Sequence, residues 1–538
     1  MEHAVNICDV LDGHVALDIT CLDRIYLNAY VPKLQTSGGV VWFLRDHLGY
    51  EIPSPTLFNK IGERFRRNIA RFAESRDIPI LRLTKPDRSR WGDRKIDHVM
   101  PYVKKAEDDG RFGVIAIVVA QEFQKVFVGT SKPNDTKAVN FSFTKVDRRV
   151  STYYFYIHDP DFGVGFIKIC SYFPYPAKVW VNGHEWAKRQ ATAAGISWTA
   201  LANGFATCPD PSALQEIANS FSPRHLQDFF DRWMSVIPTP LTDVDQQAGY
   251  WWDLSMRQIE LSRTIVFDDP RRARSFFESL VQENIGIGRP EEMAIVWARQ
   301  VRKTTKEPFR TRLFGKGTDV KIDFAYKHSR IKQYLKEGRA LRIETVVNKP
   351  SDIGILSRIE HLDELVEKAN AVNRRLLESE RVGQCCAIGN ALFERIHQPY
   401  AREGNRTGAF RFGDQRAMAL AGALCAVIHV VSGFTNKSLR CLVAGLLDTD
   451  YSSNQMSYDL RRLRLHGLIT RIDKTNTYVL TPEGQRVAVF YTKLDHRLLQ
   501  PLLAADQPPA PPEIRRALKT IERSIEDYIL KARIGSAA

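Results

Sequence analysis

The chain has 538 residues, with 77 Lys and Arg against 62 Asp and Glu, a formal charge of +15 and a pI near 9.4; that excess favours a polyanionic partner. At roughly 150 residues per domain the length predicts three or four folded units, and no stretch approaches the roughly 18 to 20 apolar residues that cross a bilayer, which excludes a membrane partner. Residues 1–12 hold Glu2, Asp9 and Asp12 in place of the basic start and apolar run of an export signal, so a cytoplasmic protein is expected.

The first 135 residues read as a mixed α/β domain. Residues 14–20 and 24–31 alternate like two strands separated by a Cys-Leu-Asp turn, 55–75 has helical periodicity, and 80–83 and 114–120 are apolar runs of strand length. Residues 136–265 read as a β-rich and then helical domain. Strands are predicted at 139–143, 151–157, 164–169 and 177–181, and helices at 182–194, 211–219 and 223–236. A basic strand and helix region, 266–400, follows, with a helix at 271–284, strands at 320–326 and 341–347, and a charged amphipathic helix at 363–379. Residues 501–538 are a Pro-rich spacer leading to a terminal helix at 512–532. The eight cysteines, including the adjacent Cys385 and Cys386, show neither CxxC nor zinc-finger spacing and read as reduced packing residues.

Charge is concentrated. Residues 299–345 hold 14 Lys and Arg and five Asp and Glu, interleaved with Phe309, Phe314, Phe324, Tyr326 and Tyr334. Lys327, Arg330, Lys332, Lys336 and Arg339 surround one acid, Glu337. Such density suits phosphate contacts, and the aromatic rings suit a single-stranded DNA or RNA partner.

Within 401–500, helices are predicted at 415–431, 436–447 with Thr435 as N-cap, and 453–466 ended by Gly467. Two short strands flank a polar turn at 473–476, and Thr481-Pro482-Glu483-Gly484 opens another helix. The string LRRLRLHGLITRIDKTNTYVLTPEGQRVA resembles winged helix-turn-helix domains of the MarR type, and the resemblance implies duplex DNA as ligand. Met456, Leu460 and Leu463 fall at i, i+4 and i+7 and should face the core. Asn454, Gln455, Tyr458, Arg461 and Arg462 are then expected in the major groove, with Arg471 and Lys474 on the wing. A winged helix that docks protein is the alternative.

GxxxxGK[ST], GxGxxG, HExxH and GxSxG are all missing from the sequence, which removes the main support for phosphate-loop, Rossmann, zincin and α/β-hydrolase chemistry. Carboxylates on strands remain. Asp18, in an apolar first strand followed by a second, resembles the opening hairpin of RNase H-like nucleases, which need two or three converging carboxylates for Mg²⁺ or Mn²⁺. Glu122 and Glu185 are the further candidates for catalysis and metal binding. Separately, Tyr334 and the Arg-x-Glu strand at Arg342 and Glu344 resemble plasmid and phage replication initiators, which implies Tyr334 as nucleophile and Glu344 as metal ligand. Over its whole length the chain resembles a widespread group of bacterial proteins that share DRIYLNAYVP, NGHEWAKRQ and ALRIETVVN. The expectation is therefore an α+β multidomain protein with a C-terminal winged helix-turn-helix, bound to DNA, alone or as a homodimer. It is either a metal-dependent nuclease or nicking enzyme of a mobile element, or a non-enzymatic regulator or replication initiator.

Overall fold

A computed structural model describes residues 11, 13–83, 95–133, 139–284, 310–316, 319–384, 389–402, 404–425, 434–473, 475–495, 516–517, 519–521 and 523–524. The chain forms two compact units, one from Asp12–Glu278 with Lys306–Arg374, the other from Arg375–Ala538 with Met1–Leu11 and Ser279–Thr305. Cys385, Cys386, Phe309, Lys474, residues 426–431 of one expected helix and the Pro-rich spacer lie outside the described residues. Among those described, no helix is long and apolar enough to cross a membrane.

The larger unit is α+β. Its strands are β1 (Val15–Tyr30), β2 (Ile80–Arg82), β3 (Gly113–Pro133), β4 (Val139–Asp159), β5 (Gly163–Cys170), β6 (Ala177–Asn182), the short β7 (Thr199–Ala200) and β8 (Phe205–Thr207), β9 (Asp253–Phe267), β10 (Arg310–Lys316), β11 (Asp319–Tyr326), β12 (Ser329–Lys336) and β13 (Ala340–Val347). Eleven of them form one sheet in the order β10-β11-β12-β13-β9-β1-β6-β5-β4-β3-β2. Among the described residues only β2 and β3 pair in parallel, so the sheet is mixed. Segments read as three domains, 1–135, 136–265 and 266–400, all contribute strands to it.

β1 corrects one expectation. Cys21, Leu22 and Asp23 make no turn, and the hairpin that suggested an RNase H-like opening is a single strand paired with β9 on one side and β6 on the other. One of its irregularities, between Leu22 and Ile25, is a β-bulge. Leu22 pairs with Leu261 and Ile25 with Ile259, so Asp23 and Arg24 together face Glu260. Cys21 pairs with Ser262 and Tyr26 with Gln258, which puts Cys21 and Tyr26 on one face although their offset in sequence is odd. The apolar set changes sides accordingly. Leu17, Ile19 and Cys21 are buried on this face before the bulge, and Ile25, Leu27 and Ala29 on the opposite face after it.

Helices cover that opposite face. Helix Thr56–Ser75 buries Phe58, Ile61, Phe65 and Ile69, and Phe65 meets Tyr153 edge-on at 5.7 Å. Each such side chain contributes about 1.5 to 3 kcal/mol on burial. Helix Leu362–Gln384 sends Asn373 to Thr345 (2.7 Å) and to the Leu261 carbonyl (3.3 Å). On the bulge face, helix Lys95–Asp108 packs Val99, Val103 and Ala106 on Ala116, Val118, Tyr154 and Tyr156. Helix Gly183–Ala193, N-capped by Asn182, places His184 against β9.

In the smaller unit a helix Asn390–His397 and a hairpin of β14 (Tyr400–Arg402) and β15 (Asn405–Thr407) precede helix Gln415–Cys425. Strand β16 (Phe434–Thr435), helices Asn436–Leu447 and Ser453–Leu465, strands β17 (Ile469–Arg471) and β18 (Thr477–Leu480) and helix Pro482–Leu494 follow. The three strands pair antiparallel in the order β16-β18-β17. Leu420, Leu424, Leu439, Val443, Met456, Leu460, Leu463, Val487 and Tyr491 share one core. Thr435, Ser452 and Thr481 cap the three later helices. Gly484 is required by close approach, because a Cβ there would lie 1.9 Å from the Leu468 carbonyl oxygen.

Candidate functional site

A buried polar network lies on the bulge face of the larger unit. Register aligns Lys332, Glu344, Ser262 and Cys21 in one row across β12, β13, β9 and β1, and Tyr334, Arg342, Thr264 and Ile19 in the next. Arg342, 0% exposed, is the centre. Its guanidinium donates to Asp23 Oδ2 (2.9 Å), Glu344 Oε1 (3.2 Å), Thr264 Oγ1 (3.1 Å), the Asn203 carbonyl (2.7 Å) and His184 Nε2 (2.8 Å). An Arg can only donate, so His184 Nε2 accepts and the ring is neutral. Burial first, then Arg342, holds the His184 pKa well below its ordinary value.

Asp23, Glu260 and Glu344 bring carboxylate oxygens within 4.8 Å of one another, the spacing of metal ligands. The positive charge among them is already supplied. Arg342 bridges Asp23 and Glu344, and Lys332 lies 3.8 Å from Glu260 and 3.5 Å from Glu344. A Mg²⁺ held by oxygens at about 2.0–2.1 Å would stand against a fixed guanidinium, so these residues as arranged do not fit it. Tyr334 Oη donates to Glu344 Oε1 at 2.7 Å, and burial followed by Glu344 raises its pKa. Tyr334 and Glu344 are thus brought together, with Glu344 enclosed by two cations and a phenol.

The three carboxylates expected to share a metal do not meet in a metal-ligating group. Asp18 is held by Arg263 (2.7 Å) on the neighbouring β9, and Glu185 pairs with Arg189 (3.3 Å) one helical turn on. Glu122 is caged on β3 by Lys168, Lys95 (3.0 Å) and Tyr154 (2.6 Å). Each acid is satisfied by its own cation.

The basic run also departs from the open row of phosphate ligands that its composition suggests. The segment that bracketing strands were expected to enclose is itself β12, turned back through Glu337 and Gly338 at positive φ. Lys332 points into the acidic cluster. Lys336 donates to the Asn203 carbonyl (3.1 Å), and burial, then Arg342, lowers its pKa to about 8. Arg330 lies 3.5 Å from Asp323, Lys327 lies 5.1 Å from the Tyr326 ring centroid, and Arg339 is half-buried.

The second candidate is helix Ser453–Leu465 in the smaller unit. At about 100° per residue, Asn454, Tyr458 and Arg461 lie opposite Met456, Leu460 and Leu463, and all three are exposed. Gln455 and Arg462 lie on the flank toward helix Gln415–Cys425, where Gln455 stays exposed while its carbonyl accepts from Arg416 (3.1 Å). Gln455 Oε1 accepts from the Ser452 backbone N–H in the capping box. Arg462 is 7% exposed, lies over the Phe410 ring and sits 3.5 Å from Asp459, so it is withdrawn from the surface. Asp459 is fully buried and bound by Arg416 (2.8 Å) and Tyr451, which pins this helix to Gln415–Cys425. The other flank is open and exposes Ser457 and Arg464, which the sequence reading passed over. Arg464 and the hairpin residues Thr470, Arg471, Ile472 and Asp473 line a shallow open depression. Arg471 fastens its own turn through the Thr475 carbonyl and Asn476 Oδ1, both at 2.7 Å.

Comparison with protein-family models, with curated proteins and with solved structures returns no match to this chain.

Proposed function

We propose that the chain binds nucleic acid, and that its smaller unit docks on duplex DNA as a winged helix-turn-helix of MarR-like type. Helix Ser453–Leu465 enters the major groove, and the β17–β18 hairpin lies beside it as the wing. One observation carries this reading: Asn454, Ser457, Tyr458, Arg461 and Arg464 form a continuous exposed stripe on a helix whose other side is locked into a core. Asn and Arg are side chains that hydrogen-bond base edges, and an α-helix fits the major groove. The order strand, helix, helix, strand, strand, with β18 central in the small sheet, supports the assignment.

Of the two roles open to such a binder, a regulator or initiator is favoured over a nuclease, because the Asp23, Glu260 and Glu344 carboxylates are each already engaged by Arg342 or Lys332. The test is fluorescence anisotropy on labelled duplex selected from copurifying DNA. Arg461→Ala and Arg464→Ala should each weaken binding by about 1 to 3 kcal/mol where the side chain makes a bidentate base contact. Unchanged affinity in both variants would assign the domain to protein docking, and cleavage with Mg²⁺ or Mn²⁺ would overturn the non-enzymatic role.

A further inference from the structure

The bulge face of the larger unit has a second region, beyond the Arg342 network. Register places Gln258, Tyr26, Trp180 and Phe166 in one row across β9, β1, β6 and β5, with Asn28, Lys178 and Lys168 in the adjacent row. Tyr26, Trp180, Phe166, Asn28 and Lys178 are partly exposed, and Arg24 and Arg257 are exposed. Phe166 packs at the edge of the cluster that helix Lys95–Asp108 covers on β3 and β4, and the rings and cations continue past it onto β6, β1 and β9.

The rings and cations are ordered. Phe166 and Trp180 stack at 5.9 Å and 11°, and Tyr26 meets Phe166 edge-on at 6.1 Å. Lys178 Nζ and the Arg257 guanidinium each lie 5.5 Å from the Tyr26 ring centroid. Neither cation has a carboxylate salt-bridge partner among the described residues, and Glu122, on the same face, is occupied by Lys168 and Lys95. Two of the three irregularities in the β1–β9 pairing fall here. The first turns Arg24 toward this row, and the second, between Tyr26 and Leu27, leaves Arg257 unpaired beside the ring.

We propose that this stripe is a platform for single-stranded nucleic acid, on which unpaired bases stack against Trp180 and Tyr26 while phosphates meet Lys178, Arg257 and Arg24. A sheet face carrying two or three aromatic rings holds splayed bases, and flanking cations track the backbone. Duplex is excluded by geometry, because paired bases present no free ring face to a flat sheet. The charge is complementary: burial, then Arg257 and Lys168, depress the Lys178 pKa to about 8, a cost that an arriving phosphate relieves. The platform shares only its ligand class with the duplex reading and uses none of the residues of helix Ser453–Leu465.

The experiment uses the full chain with fluorescein-labelled oligo-dT, oligo-U and a mixed-sequence duplex. Trp180→Leu should lower affinity for the single strands about tenfold or more. The Lys178→Gln/Arg257→Gln double variant keeps the rings in place and should flatten log K against log salt by about 1.4 units, roughly 0.7 per phosphate contact. Duplex affinity should stay unchanged in both, with far-UV circular dichroism and the thermal midpoint reporting that each variant is folded. Preference for oligo-U or oligo-dT distinguishes RNA from DNA, and either supports the platform. It is overturned if the wild-type chain binds neither oligonucleotide, if the double variant keeps both affinity and salt slope, or if polyglutamate competes as well as the oligonucleotides. A failure confined to duplex binding would instead remove the winged-helix reading and leave this one standing.

Discussion

Arg342 Nη2 lies 2.9 Å from Asp23 Oδ2 across 319 residues of sequence, and this contact ties the first strand of the sheet to the last in chain order. Both groups are buried, so the pair is stabilising only while complete. Removing one partner of a buried pair leaves an uncompensated charge and costs about 3 to 5 kcal/mol. Arg342→Ala should therefore lower the unfolding free energy by that amount in urea titration. Arg342→Lys should recover little of it, because an ammonium cannot span Asp23, Glu344 and Thr264 with one fork. A loss under 1 kcal/mol for Arg342→Ala would mean that the network contributes nothing to folding.

Glu260 predicts a pH dependence of the opposite sense to ordinary acid denaturation. Burial raises its pKa, and Lys332 at 3.8 Å offsets this only in part. An acid whose folded pKa exceeds its unfolded value of about 4.3 binds its proton more tightly in the folded state. Its contribution is then full below pH 4.3 and declines as pH rises through the folded value. Glu260→Gln keeps the acceptor for Gln258 Nε2 and removes the decline. The variant should be more stable than wild type at pH 7, with the difference shrinking toward pH 4. A pH-independent difference would contradict this.

Glu122 has the reverse sign. Burial alone would raise it, but hydrogen bonds from Lys168, Tyr154 and Lys95 prevail and lower it to about 2. Stability from this cage is present above about pH 4.3 and lost as pH falls toward 2. Glu122→Gln should cost roughly 2 to 3 kcal/mol at pH 7 and nothing near pH 2, read from denaturant midpoints across that range.

Local elements were legible wherever periodicity and caps were strong. The helices Pro211–Asn219 and Asn436–Leu447 fall at the positions the spacing predicts. Strand β9 was not, because in Asp253–Phe267 the residues Glu260, Ser262 and Thr264 alternate with Leu261, Arg263 and Ile265, and a polar residue on a buried face reads as a surface one. The site is hidden with β9, since Glu260 and Ser262 lie on it and Asp23 reads locally as part of a turn. The spacing marks Arg342 and Glu344, but apart from Glu344 the partners of Arg342 come from 78 to 319 positions away, which no local pattern encodes. The same applies to Arg462, where helical phase leaves the flank undecided and only Asp459 and Phe410 draw it inward.

That difference between neighbouring arginines gives the last prediction. Arg461 is exposed and donates to Asn405 Oδ1 at 3.1 Å, whereas Arg462 lies against Asp459, which is itself fully buried and shared with Arg416 and Tyr451. Arg462→Ala takes one cation from a buried carboxylate that keeps another, so the expected cost is about 1 to 3 kcal/mol of stability, below that of breaking a solitary buried pair. Once folded, this variant should bind duplex DNA as wild type does. Arg461→Ala should do the reverse, leaving the thermal midpoint within about 1 °C, since surface substitutions fall within roughly ±0.5 kcal/mol, while weakening duplex binding. Measuring midpoint and affinity for both variants separates packing from reading. If Arg462→Ala lost affinity while keeping its stability, the helix would have to present its Asp459 flank to DNA, and the stripe from Asn454 to Arg464 would not be the reading face.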